Sequence, residues 1–317
     1  MVLKNKVCII GFNYSYKVLY KSFQISDKFN IIGISGKSKR DISSNLPFKY
    51  FTSWKKMILQ LNPDIVAIGV PPIEQEKVLL FLLKKKINFI CEKPITNNAK
   101  KLNLFLKLNK KNNKVIKLID LNFVTIPAIQ KFKSLVNNTK IDNNTKIKID
   151  WNFKPNSLSK ISSWKNKKNK LGDEINNFFF HLISVIDFIF ENADIILKQK
   201  KNHFYKFFFT IKKFFFPINF YSRSKKNLFR ISIQNSNNSI ILINKSKDYH
   251  NNYHIYKNDN KIYTNNFKKN QSRIMATKKI LDIFLGKNKT LKKYLEFKNG
   301  LIIQKKINKF LCLLKKI

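Results

Sequence analysis

Arginine and acidic residues are what this chain most lacks. Of 63 basic residues only four are arginine (Arg40, Arg223, Arg230 and Arg273), and 18 acids leave a formal net charge of +45. Glycine (7), proline (8) and alanine are also scarce in 317 residues, whereas Lys, Phe, Ile, Asn and Tyr are abundant. The enriched types are those written with A- and T-rich codons, so one mutational bias accounts for charge and composition together. Recognition of nucleic acid leans on arginine forks, and with so few of them and no binding motif, nucleic acid is not expected as a partner. Contact with an anionic membrane surface through the Phe and Lys clusters is a secondary expectation.

Cysteine is nearly absent too. Cys8, Cys91 and Cys312 form an odd set without ligand spacing, which gives neither a disulfide framework nor a metal site. Cys8 and Cys91 fall inside expected strands, where a free thiol behaves as a small hydrophobe. Long apolar runs are missing: Phe178–Phe190 is 13 residues and contains His181 and Asp187, too short and too polar to cross a bilayer. Residues 1–10 read as a strand rather than a signal peptide. A cytoplasmic location is expected.

What is present is a chain that is 44% hydrophobic and long enough for a buried core and two domains. Lys6–Ile10 is an apolar run ending at Gly11, followed by a helical stretch from Tyr14 to about Ser26. A strand, a glycine turn and a helix open a dinucleotide-binding unit. The full fingerprint would place glycines at 11, 13 and 16, where this chain has Gly11, Asn13 and Tyr16. An ordinary strand–helix turn is the competing reading. Asn30–Ser35 is the second strand. After it come Ser35, Lys37 and Arg40 rather than the acid that would accept a ribose hydroxyl, which favours a 2′-phosphate and hence NADP over NAD. Lysine is abundant everywhere, so NAD stays open.

Residues 54–61 read as a helix, Ile65–Gly69 as a strand stopped by Val70-Pro71-Pro72, Glu74–Lys85 as a helix and Asn88–Cys91 as a strand. A helix near Asn97–Asn109 and a strand at Val115–Asn122 follow. Strands spaced by helical patterns argue for a parallel sheet, whose ligands bind beyond the carboxyl ends of the strands. Gly11, Ser35, Val70 and Lys93 all fall at such ends. An ammonium at Lys93, fixed between Glu92 and Pro94, can hold a hydroxyl or developing alkoxide while hydride leaves the carbon. Alternatively it is one of many lysines near a strand end.

In the second half Pro127 to about Leu135 is a helix, 137–145 a loop and Lys146–Phe153 a strand. Trp164 either stacks on a sugar or nicotinamide ring or plugs a domain interface. Lys165 either contacts a phosphate or carboxylate or stands in solvent. Gly172–Phe190 carries a wide apolar stripe for a buried helix. Asn177 and His181, four apart, share one face. An imidazole there can exchange a hydroxyl proton or can be a core residue among Phe and Leu. Phe229–Ile233, Ser239–Ile243 and Tyr253–Tyr256 read as an open antiparallel sheet. The Phe-rich segments 207–209 and 214–216 suit an oligomer face, a membrane contact or plain codon bias. His203, His250 and His254 have no partner at metal spacing. Arg273–Phe284 and Leu301–Leu314 read as helices.

The runs KVCIIGFN (6–13), IVAIGVPP (65–72) and CEKPIT (91–96), with SWK (163–165), Leu171–Phe190 and YLEFKNG…Gln304 near the end, resemble the Gfo/Idh/MocA family of oxidoreductases. Gln75 and SWK are similar to the branch found with surface-polysaccharide or nucleotide-sugar biosynthesis. The resemblance implies an α/β fold: an N-terminal Rossmann-type parallel sheet (1–121) and a C-terminal α+β domain with a large, mostly antiparallel open sheet (122–317), its last helix packing back on the first domain. It implies Lys93 and His181 as catalytic residues, with Asn177, Trp164 and Lys165 also at the substrate. At the cofactor it implies Gly11, Asn13, Tyr14, Ser15, Ser35, Lys37, Arg40, Val70, Pro71, Pro72, Gln75, Glu92 and Lys93, with no metal. The expected activity is NAD- or NADP-dependent hydride transfer at a secondary hydroxyl or ketone of a sugar or nucleotide-sugar, by a homodimer or homotetramer formed through the C-terminal sheet. The altered glycine turn supports a second expectation, a catalytically weak or inactive member that binds sugar nucleotides or assembles with partners.

Overall fold

The computed structural model describes residues 4–12, 14–37, 47–96, 98–111, 114–153, 173–191, 193–201, 204–211, 214–221, 224–268 and 271–314. The chain divides into two compact units, residues 1–122 with 273–305 and residues 123–272 with 306–317.

The first unit is built on a six-stranded sheet of β1 (Asn5–Ile10), β2 (Phe29–Ser35), β3 (Lys49–Phe51), β4 (Ile65–Ile68), β5 (Asn88–Cys91) and β6 (Lys117–Ile119). Its order is β3-β2-β1-β4-β5-β6 and every pairing is parallel. Parallel strands covered on both faces are continuously apolar, and all four residues of β4 are buried. The chain adds strands on one side of β1, then returns to the other, so the direction of winding reverses between β1 and β4. That reversal opens a crevice at the carboxyl edge.

Local signals set the helices of this unit. Before α2 (Trp54–Leu61), the Ser53 side chain accepts the Lys56 amide, and the helix ends at Asn62 with φ 42°. Pro72 opens α3 (Pro72–Lys85), where its missing N–H costs nothing. Asn98 caps α4 (Ala99–Lys110) by accepting the Lys101 amide at 3.2 Å. The first helix differs from the regular one expected: a π-helical turn over Ser15–Tyr20 runs into a short α1 (Lys21–Gln24). Along that turn Phe12, Tyr16 and Tyr20 stack as a column, with ring centroids 5.2 and 5.1 Å apart. The later helices are α7 (Ser272–Phe284), α8 (Lys289–Leu295) and α9 (Phe297–Leu314).

The second unit holds α5 (Pro127–Asn137), α6 (Asp173–Phe190) and eight strands: β7 (Lys146–Asn152), β8 (Asp194–Lys201), β9 (Phe204–Ile211), β10 (Phe214–Tyr221), β11 (Leu228–Gln234), β12 (Ser239–Asn244), β13 (Tyr253–Lys257) and β14 (Asn260–Asn265). Their order is β14-β13-β12-β11-β7-β10-β9-β8, antiparallel except for the parallel pair β7–β10. Both sheets of the expected α/β architecture are therefore present. Alternate residues of β7, β11 and β12 are buried, which is the period of a sheet with one covered face. The Phe-rich strands follow the same rule. Phe207, Phe209, Phe216 and Phe220 are buried, whereas Phe215 points outward at 62% exposure.

Phe179 of α6 lies against Phe207, Phe220 and Phe310 at centroid distances of 5.0, 5.8 and 4.5 Å. The end of α6 is tied by Lys306, whose ammonium sits 2.7 Å from Asp187 Oδ1 and donates to the Ala193 carbonyl. Among the described residues no helix is long and apolar enough to cross a membrane. The phenylalanine packing gives a direct expectation for urea unfolding followed by tryptophan fluorescence. Phe179→Ala is expected to cost about 3–5 kcal/mol. Phe215→Ser, on the outer face of β10, is expected to change stability by less than about 0.5 kcal/mol.

Candidate active site

The turn after β1 is built around Ser15. Gly11 has φ 108°, and a Cβ there would come within 2.5 Å of the Gly69 carbonyl oxygen. A Cβ on Gly69 would lie 2.2 Å from Ser15 Oγ. Ser15 is fully buried, and its hydroxyl stands 3.1 Å from the carbonyl oxygens of both Ile10 and Gly69. The Gly11 amide donates to the Ser35 carbonyl at 2.8 Å, and the Gly69 amide to Ile10 at 2.9 Å. Two loop ends thus close on one hydroxyl at the point where the winding reverses. Ser35 is buried at the end of β2, and Lys37 is exposed two residues on. Asn13 and Arg40 lie outside the described residues.

The segment carrying Lys93 is braced from several sides. Val70 and the exposed Pro71 lead from β4 into α3, where Pro72 is buried. Gln75 of α3 is buried, and its Nε2 donates to the carbonyls of Glu92 (2.8 Å) and Pro94 (3.0 Å). The Ile95 amide donates to Gln304 Oε1 at 3.2 Å. Gly300 leaves no room for a side chain, since a Cβ would meet Ile119 Cδ1 at 2.7 Å and Ile95 Cδ1 at 3.0 Å. Lys93 itself is buried, 8% exposed, and its amide donates to Glu92 Oε2 at 3.2 Å.

Beside this segment lies a cluster that spacing along the chain does not reveal. Tyr14 donates its hydroxyl to Asp120 Oδ2 at 2.6 Å, and Thr277 Oγ1 donates to the same oxygen at 3.4 Å. The Arg273 guanidinium lies 4.4 Å from the Tyr14 ring centroid. Asp120 is completely buried. Burial, and after it the neighbouring Glu92 carboxylate, raises the Asp120 carboxyl from 3.8 to about 8, against the pull of the Tyr14 hydroxyl and the Arg273 charge. Tyr14 is raised well above 10, by burial first and then by Asp120 and Glu92. The structure therefore brings together Gly11, Tyr14, Ser15, Ser35 and Glu92 at the carboxyl edge of one sheet, joined by Gly69, Asp120 and Arg273. The available signal for the last two was rarity, an acid after an apolar strand and one of four arginines in a lysine-rich chain.

In the second unit His181 stands on α6, 5% exposed, stacked on Phe123 with centroids 4.2 Å apart and rings 16° from parallel. His250, 8% exposed, meets the same ring edge-on at 4.9 Å. Its Nδ1 is 3.9 Å from Asp248 Oδ1, while Asp248 Oδ2 accepts the Ser272 hydroxyl at 2.8 Å. Trp164 and Lys165 lie outside the described residues, and so does the side chain of Asn177. Among the described residues no group of three or more His, Cys, Asp or Glu is placed to hold a metal ion.

The raised Asp120 pKa has a consequence for stability. The folded protein keeps a proton that the unfolded chain gives up, so this contribution is complete below about pH 4 and is lost as pH rises through about 8. Asp120→Asn, neutral at every pH, removes the effect. The thermal midpoint of the wild type, measured relative to Asp120→Asn, is expected to fall steadily from about pH 5 to about pH 8 and then level off. A difference that stays flat or climbs over that window contradicts a protonated Asp120.

Residues 5–119 match the family model described as GFO_IDH_MocA, an oxidoreductase family with an NAD-binding Rossmann fold. No curated protein matches the chain. Solved structures share its fold over nearly the full length. A dehydrogenase (MviM) from Clostridium difficile is 15% identical, with 99% of this chain and 100% of that one covered and a TM-score of 0.76. Levoglucosan dehydrogenase, solved in complex with NADH, is 12% identical over 98% and 96% of the two chains, with a TM-score of 0.75. The super-repressor mutant of Gal80p from Saccharomyces cerevisiae is 13% identical over 98% and 95%, with a TM-score of 0.70. The match to this family model thus falls on residues 5–119, the part of the chain that carries the six-stranded parallel sheet.

Proposed function

We propose that the chain is an NAD- or NADP-dependent oxidoreductase acting at a secondary hydroxyl or ketone of a sugar or nucleotide-sugar, in surface-polysaccharide metabolism. The observation that carries this reading is a buried lysine, Lys93, braced at the carboxyl edge of a domain that matches an NAD-binding family. The residues present fit a dinucleotide. Gly11 permits a tight turn at the crevice, and the end of β2 offers Lys37, with no acid among its described residues, which supports NADP.

A bound nicotinamide supplies the hydride acceptor or donor. Lys93 orients the reacting oxygen and polarises it as charge develops. Its burial strengthens that effect, because the ammonium acts where water screens little. His181 takes the hydroxyl proton in oxidation and returns it in reduction. Asn177, Trp164 and Lys165 hold the substrate. The protein works in the cytoplasm as a homodimer or homotetramer joined through the sheet of the second unit.

A second reading, a non-catalytic binder of sugar nucleotides, has its own support: Asn13 and Tyr16 stand where the glycine fingerprint leaves space, and the super-repressor mutant of Gal80p shares the fold. Fluorescence titration with NADH and NADPH separates the two. Saturable binding of either cofactor, with Lys93→Met and His181→Asn each lowering kcat by about 100-fold or more, is the expected outcome. Absence of binding at millimolar concentration removes the oxidoreductase reading. His181→Asn is expected to leave the NADH dissociation constant unchanged within about twofold.

A further inference from the structure

The proposed reaction gives no task to the Arg273 guanidinium. It stands in the first turn of α7, half-buried, 4.4 Å from the ring centroid of Tyr14. Tyr14 belongs to the turn that leaves β1, and its hydroxyl is anchored on Asp120 at 2.6 Å. A fixed aromatic platform therefore holds a cation at the dinucleotide turn.

Glu92 and Asp120 both act on the guanidinium charge, but neither is paired with it. Among the described residues Arg273 forms no ion pair with Glu92 or Asp120, and its Nε is buried without a hydrogen-bond partner. Asp120 is served instead by the hydroxyls of Tyr14 and Thr277.

A complete fingerprint lays the diphosphate of a dinucleotide on glycine amides and the start of the following helix. Here Asn13 and Tyr16 replace two of the glycines, and the Gly11 amide is already bound to the Ser35 carbonyl. The Ser15 hydroxyl is turned inward to Ile10 and Gly69, and the helix begins with a π turn. Side chains at 13 and 16 take the space that the glycines leave for an anion to approach the backbone amides. A guanidinium has five N–H groups in a planar fork that matches phosphate oxygens. We propose that Arg273 is an anion-binding residue of the cofactor site, taking the diphosphate of the bound dinucleotide from its seat on the Tyr14 ring. This assignment rests on dinucleotide binding by the first unit.

Fluorescence titration with NADH, and displacement of NADH by ADP-ribose or by adenosine, test it on the full chain. Arg273→Met is expected to weaken NADH and ADP-ribose together by about tenfold or more, and to leave adenosine, which has no phosphate, unchanged. Arg273→Lys keeps the charge that faces Glu92 but loses the fork, and is expected to weaken both by about threefold. It carries the test where Arg273→Met fails to fold, as judged by far-ultraviolet circular dichroism. NADH and ADP-ribose affinities within about twofold of the wild type in a folded variant overturn the assignment while dinucleotide binding stands. A wild type that binds neither NADH nor NADPH overturns the reading of the first unit, and the role of Arg273 with it.

Discussion

A carboxyl group with no access to water ties together the parts of the first unit that a reaction would use. Asp120 sits just past β6 at zero exposure, where an ionised carboxylate is costly unless it is well paired. Two hydroxyls reach it, Tyr14 from the turn after β1 and Thr277 from α7. Glu92, one residue before Lys93, is the charge that most raises its pKa after burial itself. The turn after β1, the Lys93 segment and the start of α7 therefore share one electrostatic balance. A change at any of them alters what the others must neutralise.

The scaffold was readable because its signals are local. β1, β2, β4 and β5 are apolar runs bounded by glycine, proline or polar clusters, and each lies within a residue or two of its expected bounds. The elements that escaped reading lack such patterning. β14 buries only its last residue, so nothing alternates. β3 has three residues, and β8 ends in a lysine-rich stretch at the sheet edge. α8 depends on Asn288, whose left-handed backbone (φ 54°) and side chain cap a seven-residue helix. The bracing of Lys93 was less legible. Gln75, Gly300 and Gln304 are visible as residues, but their work is done over separations such as the 209 positions between Ile95 and Gln304. Asp120 and Arg273 are joined to Tyr14 only by the fold.

Compositional bias and structure are compatible because each excess has a place to go. Phenylalanine in β9 and β10 faces inward at alternate positions, where large rings fill the layer beneath α6. Lysine goes mostly to exposed positions on helices and strand edges, where a long flexible stem costs little. The exceptions carry information. Lys93 is buried, and Lys306 makes a 2.7 Å ion pair with Asp187 that ties the end of α6. In a chain this rich in lysine, burial singles out Lys93 where frequency does not.

The altered glycine turn then takes on a different meaning. In a complete fingerprint the glycines make room for a ligand and for close packing of helix on strand. Here Gly11 and Gly69 make room for Ser15: a side chain on Gly69 would overlap its hydroxyl, and one on Gly11 would strike both that hydroxyl and the Gly69 carbonyl. The Ser15 hydroxyl in turn shares its one proton between carbonyls at the ends of β1 and β4. The turn is repacked around a polar pin, with its close approaches made between loops. Side chains at 13 and 16 narrow the approach of an anion to the amides of such a turn, and a side-chain cation beside it can take up part of that work. In this unit a cation already rests on the turn, and its platform is held by the same buried carboxyl that borders the Lys93 segment. The side chains at 13 and 16 and the seat of Arg273 on Tyr14 belong in that sense to one arrangement of the turn.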